Sequence, residues 1–132
     1  MDEVERLIEQ LSKGRTAMHR ALSRVDTQTE ICPGWTIKEV LAHISGWDAV
    51  GTSIVRANLT GEQPPPLEVK GIDAYNAYLV AGCETMTHQE TVEDWRRARR
   101  QFVHALSETP PEKLRDRIQF PWGETGNIPR LV

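Results

Sequence analysis

The sequence predicts an all-α fold, an antiparallel up-and-down bundle, and three observations predict it. Apolar residues recur at the helical period of about 3.6 in three long segments. Two Thr-x-x-Glu pairs, Thr36 with Glu39 and Thr87 with Glu90, have the spacing of a capping box, in which each side chain covers a free backbone N–H of the first turn. Stretches rich in Gly and Pro punctuate the chain between those segments. At 132 residues the chain is sized for one domain. A chain of that length buries roughly two thirds of its unfolded surface, enough for a core without staples.

The first helix is marked by Val4, Leu7, Ile8, Leu11, Met18, Leu22 and Val25, with Glu, Lys and Arg on the other side. Gly14 interrupts it at a cost of about 1 kcal/mol relative to alanine. His19 lies beside the stripe and reads as a boundary residue. Asp26-Thr27-Gln28-Thr29 ends the helix, and Pro33-Gly34 turns the chain towards the next.

The second helix opens at Thr36, with Trp35 and Val40 placed to form a hydrophobic staple. Ile37, Val40, Leu41, Ile44 and Trp47 recur at helical spacing and continue through Ile54 and Val55. His43 falls at one edge of that face, beside Trp47 and Val50, and Asp48 falls near the other edge. An imidazole there is either a hydrogen-bonded boundary residue or a ligand or catalyst, and one ligand alone makes no metal site.

Gly61-Glu62-Gln63-Pro64-Pro65-Pro66 is a stiff, extended spacer, since three prolines fix φ and forbid helix. The third helix begins near Ile72, with Ile72, Leu79, Val80 and Cys83 as its apolar face and Asn76 in the middle of it. A buried amide must satisfy several hydrogen bonds, so Asn76 implies a defined core partner or a polar cavity. Gly82 and Thr85-Met86-Thr87 break or kink this helix, and the Thr87 box restarts it with Val92, Trp95, Phe102 and Leu106 inward.

Arg96, Arg97, Arg99 and Arg100 spread around that helix, with Glu90, Glu93 and Asp94 just upstream, and read as a solvated face. His88 and His104 lack the spacing of a paired metal site. Phe120-Pro121-Trp122-Gly123 is an apolar loop suited to covering one end of the bundle. Asn127 as N-cap and Pro129 in the first turn start a fourth helix. Few residues follow it, so a truncated fourth helix is expected.

With 39% hydrophobic and 27% charged residues the composition is that of a soluble globular protein. A net charge of −3 argues against nucleic acid, which rewards a basic face. No apolar run approaches the ~18 residues of a membrane span. The start, Met1-Asp2-Glu3-Val4-Glu5-Arg6, lacks the basic residues and apolar core of a signal peptide. A cytoplasmic protein with no membrane partner is expected. Cys32 and Cys83 follow no Cys-x-x-Cys spacing and are expected as free thiols, with one disulfide as the alternative.

The run Gly34-Trp35-Thr36-Ile37-Lys38-Glu39-Val40-Leu41-Ala42-His43-Ile44-Ser45-Gly46-Trp47-Asp48 resembles the second-helix signature of DinB-like proteins. The nearest branch by resemblance is the one with the colibactin self-resistance hydrolases, and mycothiol-dependent maleylpyruvate isomerases are more distant relatives. Ile72-Asp73-Ala74-Tyr75-Asn76 is similar to the third-helix opening of that branch, and Pro121-Trp122-Gly123 and Arg130-Leu131-Val132 also fit.

The resemblance implies a four-helix bundle that many members use to hold a divalent metal. The ligands are a second-helix histidine, matched by His43, and two histidines four apart on the last helix, a pair this sequence lacks. It implies a metal-assisted or metal-free hydrolase or thiol transferase acting on a small electrophile. His43, Trp47 and Asn76 would line the substrate pocket, Asn76 orienting substrate or water and Asp48 acting as base or support. The alternative is a non-catalytic small-molecule-binding or dimerisation module. No tightly bound cofactor is expected; zinc or nickel would join His43 only where the histidine pair is present. A small-molecule ligand is the expected partner, and a homodimer would cover the face an incomplete bundle leaves apolar.

Overall fold

A computed structural model describes residues 2–132. It contains helices α1 (Glu3–Leu22), α2 (Ile37–Leu59), α3 (Ile72–Gly82) and α4 (His88–Ser107). After α4 come a 3-10 turn (Pro111–Arg115), strands β1 (Ile118–Gln119) and β2 (Thr125–Gly126), and a second 3-10 turn (Ile128–Leu131). The expected all-α bundle is what the chain forms.

The helices start where short-range chemistry tells them to. Thr87 caps α4 reciprocally: the Glu90 N–H donates to its hydroxyl at 3.0 Å, and its own N–H donates to the Glu90 carboxylate at 2.8 Å. At α2 the Thr36 N–H and hydroxyl both donate to Glu39, at 3.4 and 2.9 Å. A third box, Asp2 with Glu5, opens α1 and was not anticipated.

The expected kink after Gly82 is a full break, so α3 and α4 are separate helices. The face of α3 also differs from expectation. Ile72 is 46% exposed, whereas Tyr75 is 4% and Cys83 2% exposed. The inward row therefore runs Tyr75, Leu79, Cys83 at four-residue spacing, and Ile72 overhangs from the first turn.

α2 packs along α4, with α1 against α4 and α3 against α2. At one end Ile37, Leu41 and Trp95 form a small core with Met18, Leu22 and Val92. The larger core joins Leu7, Ile54, Phe102, Leu106, Leu114 and Phe120. Gly51 lets α4 come close, since a Cβ there would lie 3.0 Å from the Phe102 ring.

The expected loop over the end of the bundle is a hairpin. β1 and β2 pair antiparallel, Ile118 opposite Gly126 and Gln119 opposite Thr125. Gly123 takes φ 102° in the turn, a conformation that favours glycine. Phe120 and Ile128 bury themselves in the larger core. The fourth-helix start at Asn127 is the second 3-10 turn. Among the described residues the exposed large hydrophobics are Ile31, Ile72, Tyr78 and Val132.

Candidate functional site

His43 and Trp47 stand one turn apart on α2, and α3 brings Asn76 to them. The Trp47 indole N–H donates to the Asn76 side-chain oxygen at 2.6 Å. An indole nitrogen is a donor only, so it dictates which end of the carboxamide faces it. The helices can approach because residue 46 is glycine: a Cβ there would overlap the Leu79 side chain.

His43 is half-buried and lies against Trp35, ring centroids 5.3 Å apart and planes tilted by 44°. Trp35, expected to staple to Val40, therefore caps the imidazole. Burial holds the His43 pKa below the ordinary imidazole value, and the Asn76 carboxamide works against that shift. The ring is thus neutral near pH 7. Its Nδ1 is buried and, among the described residues, has no hydrogen-bond partner. Native interiors rarely leave such a group alone.

Trp47 connects this cluster to a cavity. Its ring meets Tyr75 edge-on at 5.2 Å and Trp122 edge-on at 5.7 Å, and Trp122 stacks on Phe120 at 4.7 Å. Trp47, Trp122, Phe120, Ile54 and Leu131 help enclose a space of about 360 Å³. Arg130 and Glu124 stand on its wall as an ion pair at 3.2 Å. A concave, mostly apolar space of that size suits a small molecule, with the pair placed to orient a polar group.

Asp48 takes no part in this arrangement. Both of its oxygens accept from Arg99, from Nε at 2.9 Å and from Nη2 at 3.0 Å. The same guanidinium reaches the Leu11 carbonyl of α1 at 3.5 Å. Burial pushes the Asp48 carboxyl above its usual range, while hydrogen bonds and charge from Arg99 pull it down. A carboxylate held on both oxygens and turned towards α4 does not suit the base role expected of it. In the basic run Arg96, Arg97 and Arg100 are exposed as expected, but Arg99 is a partly buried structural cation paired with Asp48.

Metal competence at this place rests on His43 and its orphaned nitrogen. Among the described residues no group of three or more His, Cys, Asp or Glu converges. These residues alone do not fit a metal site. Cys32 is exposed, Cys83 is buried, and both are free.

Residues 8–131 match the family model described as the mycothiol maleylpyruvate isomerase N-terminal domain. The chain belongs to that family. It is a DinB-like family with a helical fold, so the broad resemblance holds, and the match falls on the relatives the sequence placed further off. No curated protein and no solved structure matches the chain.

The structure brings together His43, Trp47 and Asn76 of the expected site residues and separates Asp48 from them. Sequence reasoning missed Trp35, Tyr75, Trp122 and Arg130. The one local signal for Trp122 was its place in an apolar Phe-Pro-Trp-Gly turn.

Proposed function

We propose that the chain acts on a small electrophilic molecule, as a thiol-dependent transferase or as a hydrolase, using the surface around His43, Trp47 and Asn76. The observation that carries this reading is the buried, partnerless Nδ1 of a neutral imidazole beside an amide already fixed by Trp47. The family's name, which joins a thiol to an unsaturated keto acid, supports the same chemistry.

In this reading a thiol gives its proton to His43, and its sulfur forms a C–S bond to an electrophilic carbon conjugated with a carbonyl. The displaced π pair moves to the carbonyl oxygen, and the imidazolium supplies a proton to the resulting enolate. After rotation about the new C–C single bond, His43 takes the α-proton back and the C–S bond breaks as the double bond re-forms. The thiolate recovers its proton, which gives net isomerisation; retaining the sulfur gives transfer. In hydrolysis His43 takes a proton from water, and the oxygen adds to the electrophilic carbon. Collapse of the adduct breaks the bond to a leaving group, which takes the proton back from the imidazolium. Asn76 positions the substrate, and the aromatic walls exclude water. Zinc or nickel belongs to this reading only where further ligands join His43.

The test follows mycothiol-dependent loss of maleylpyruvate. His43→Gln should lower turnover by about a hundredfold or more, the usual worth of a positioned general base, while the folded state persists. Equal turnover by wild type and His43→Gln would remove the imidazole from the chemistry. A second reading, a binding module without catalysis, is favoured by the apolar lining of the cavity beside Trp47. Saturable ligand binding that is lost in Trp122→Ala, with no turnover by the wild type under any thiol, would select it.

A further inference from the structure

The opposite side of the molecule holds a second concavity, between α1 and α4. It spans about 480 Å³, with Ile8 and Val103 as apolar surface and Ser12 as a hydroxyl donor, while the Ser107 hydroxyl on its wall donates to the His104 carbonyl at 2.6 Å. Arg15 comes from α1 and Arg100 from α4, and the paired Arg99 is also on its wall. Arg15 lies over the Trp95 ring, 5.7 Å from its centroid.

The charges here are unbalanced. Arg99 is answered by Asp48, and Arg97 has Asp94 at 3.6 Å. Among the described residues Arg15, Arg96 and Arg100 have no carboxylate within ion-pair distance. Burial and the repulsion of Arg100, Arg96 and Arg99 together lower the Arg15 pKa, as expected where cations gather without a counter-ion. This happens on a chain of net charge −3, so the basic groove is local and not a feature of the whole surface.

We infer that the groove between α1 and α4 is a second binding site, for a small organic anion: a carboxylate or phosphate carried on an apolar body. The anionic head takes the unpaired guanidinium groups of Arg15 and Arg100, with Ser12 completing the hydrogen bonds, and the apolar body lies along Ile8 and Val103. The volume lies in the range of small-ligand pockets. Guanidinium is the side chain best suited to hold such an oxyanion, through paired N–H donors. None of these residues belongs to the proposed reaction site, so the two proposals fail separately.

The probes are decanoate, decanol and inorganic phosphate, titrated into the full chain by calorimetry, with Trp95 fluorescence as a second readout because Arg15 sits on that ring. Decanoate should bind saturably. Decanol and phosphate should each bind at least about tenfold more weakly, the worth of one charge-assisted contact or of the buried chain. Arg100→Gln, at an exposed position, should weaken decanoate about tenfold or more, and Arg15→Gln should do the same and remove the fluorescence change. Asn76→Leu should leave decanoate affinity unchanged.

Decanol binding as tightly as decanoate would overturn the inference, as would equal affinity in Arg100→Gln. So would decanoate affinity lost in Trp122→Ala but kept in Arg15→Gln, which would move the ligand to the other cavity. Occlusion of the groove by a second copy, seen as a decanoate-insensitive dimer in light scattering, would also overturn it.

Discussion

The two faces of α2 treat buried polar groups in opposite ways. On the side towards α4, Asp48, Ser45 and Thr52 are all buried and all answered: Asp48 by Arg99, Ser45 by the Leu41 carbonyl at 2.7 Å, and Thr52 by the Asp48 carbonyl at 2.9 Å. On the side towards α3, the half-buried His43 keeps an Nδ1 without a partner, and Trp47 and Asn76 spend their contact on each other. A polar group that is buried and answered holds a fold together. One that is buried and unanswered is waiting for something outside the fold, because the desolvation of an unmade hydrogen bond is a standing cost.

The strongest way to break this comparison is to remove one partner on the answered side. Asp48→Ala leaves the partly buried Arg99 guanidinium without its counter-ion and should cost about 3 kcal/mol in urea unfolding. The double variant Asp48→Leu with Arg99→Met should regain most of that loss, since a well-packed apolar pair replaces a buried ion pair with little net change. If Asp48→Ala unfolds at the same urea concentration as wild type, the pair contributes nothing and the contrast between the faces fails.

A smaller effect is expected at Asn76. Asn76→Leu takes the acceptor from the Trp47 indole, which should cost about 1–3 kcal/mol if the N–H finds no water. The variant should stay folded and lose affinity for the small molecule proposed to bind beside His43. Full ligand affinity in Asn76→Leu, measured by fluorescence titration, would take the amide out of the site and leave it as a core group only.

The smallest effect is a dependence on pH. The folded state holds the His43 pKa below the ordinary value of 6.5, so the unfolded chain binds the proton more readily. The contribution of the neutral ring is therefore complete above about pH 6.5 and fades as the pH falls from there through the lower folded pKa. Comparing wild type with His43→Gln by thermal unfolding between pH 8 and pH 5 should show the wild type losing more stability on acidification. Parallel curves would mean that burial does not govern this ring.

How much of this was legible in the chain depended on distance along it. The boxes at Thr36 and Thr87 are read within four residues, and both helices start there. The phase of α2 placed His43 and Trp47 on one side, and Asn76 stood out as an amide on an apolar face; the structure joins all three. Arg99 could not be read this way. Its partner lies 51 residues back on another helix, and its local neighbours suggested solvent. The period of α3 misled because eleven residues make only about three turns, enough for two candidate faces, and Tyr75 won over Ile72 by packing on Trp47. The hairpin was invisible because strands of two residues carry no alternation.

Gly46 has a consequence of a mechanical kind. It is a notch in an otherwise full helix surface, and the Leu79 side chain occupies it. Leading into α3 is a connector with three prolines that ends at Gly71, whose φ is 94°. The helix carrying Asn76 is thus seated by a missing methyl group, and any residue larger than glycine at that point would act as a wedge, levering the amide away from the indole while leaving both side chains chemically intact. Position 46 is the place where the width of the site could be retuned without touching a single group that lines it.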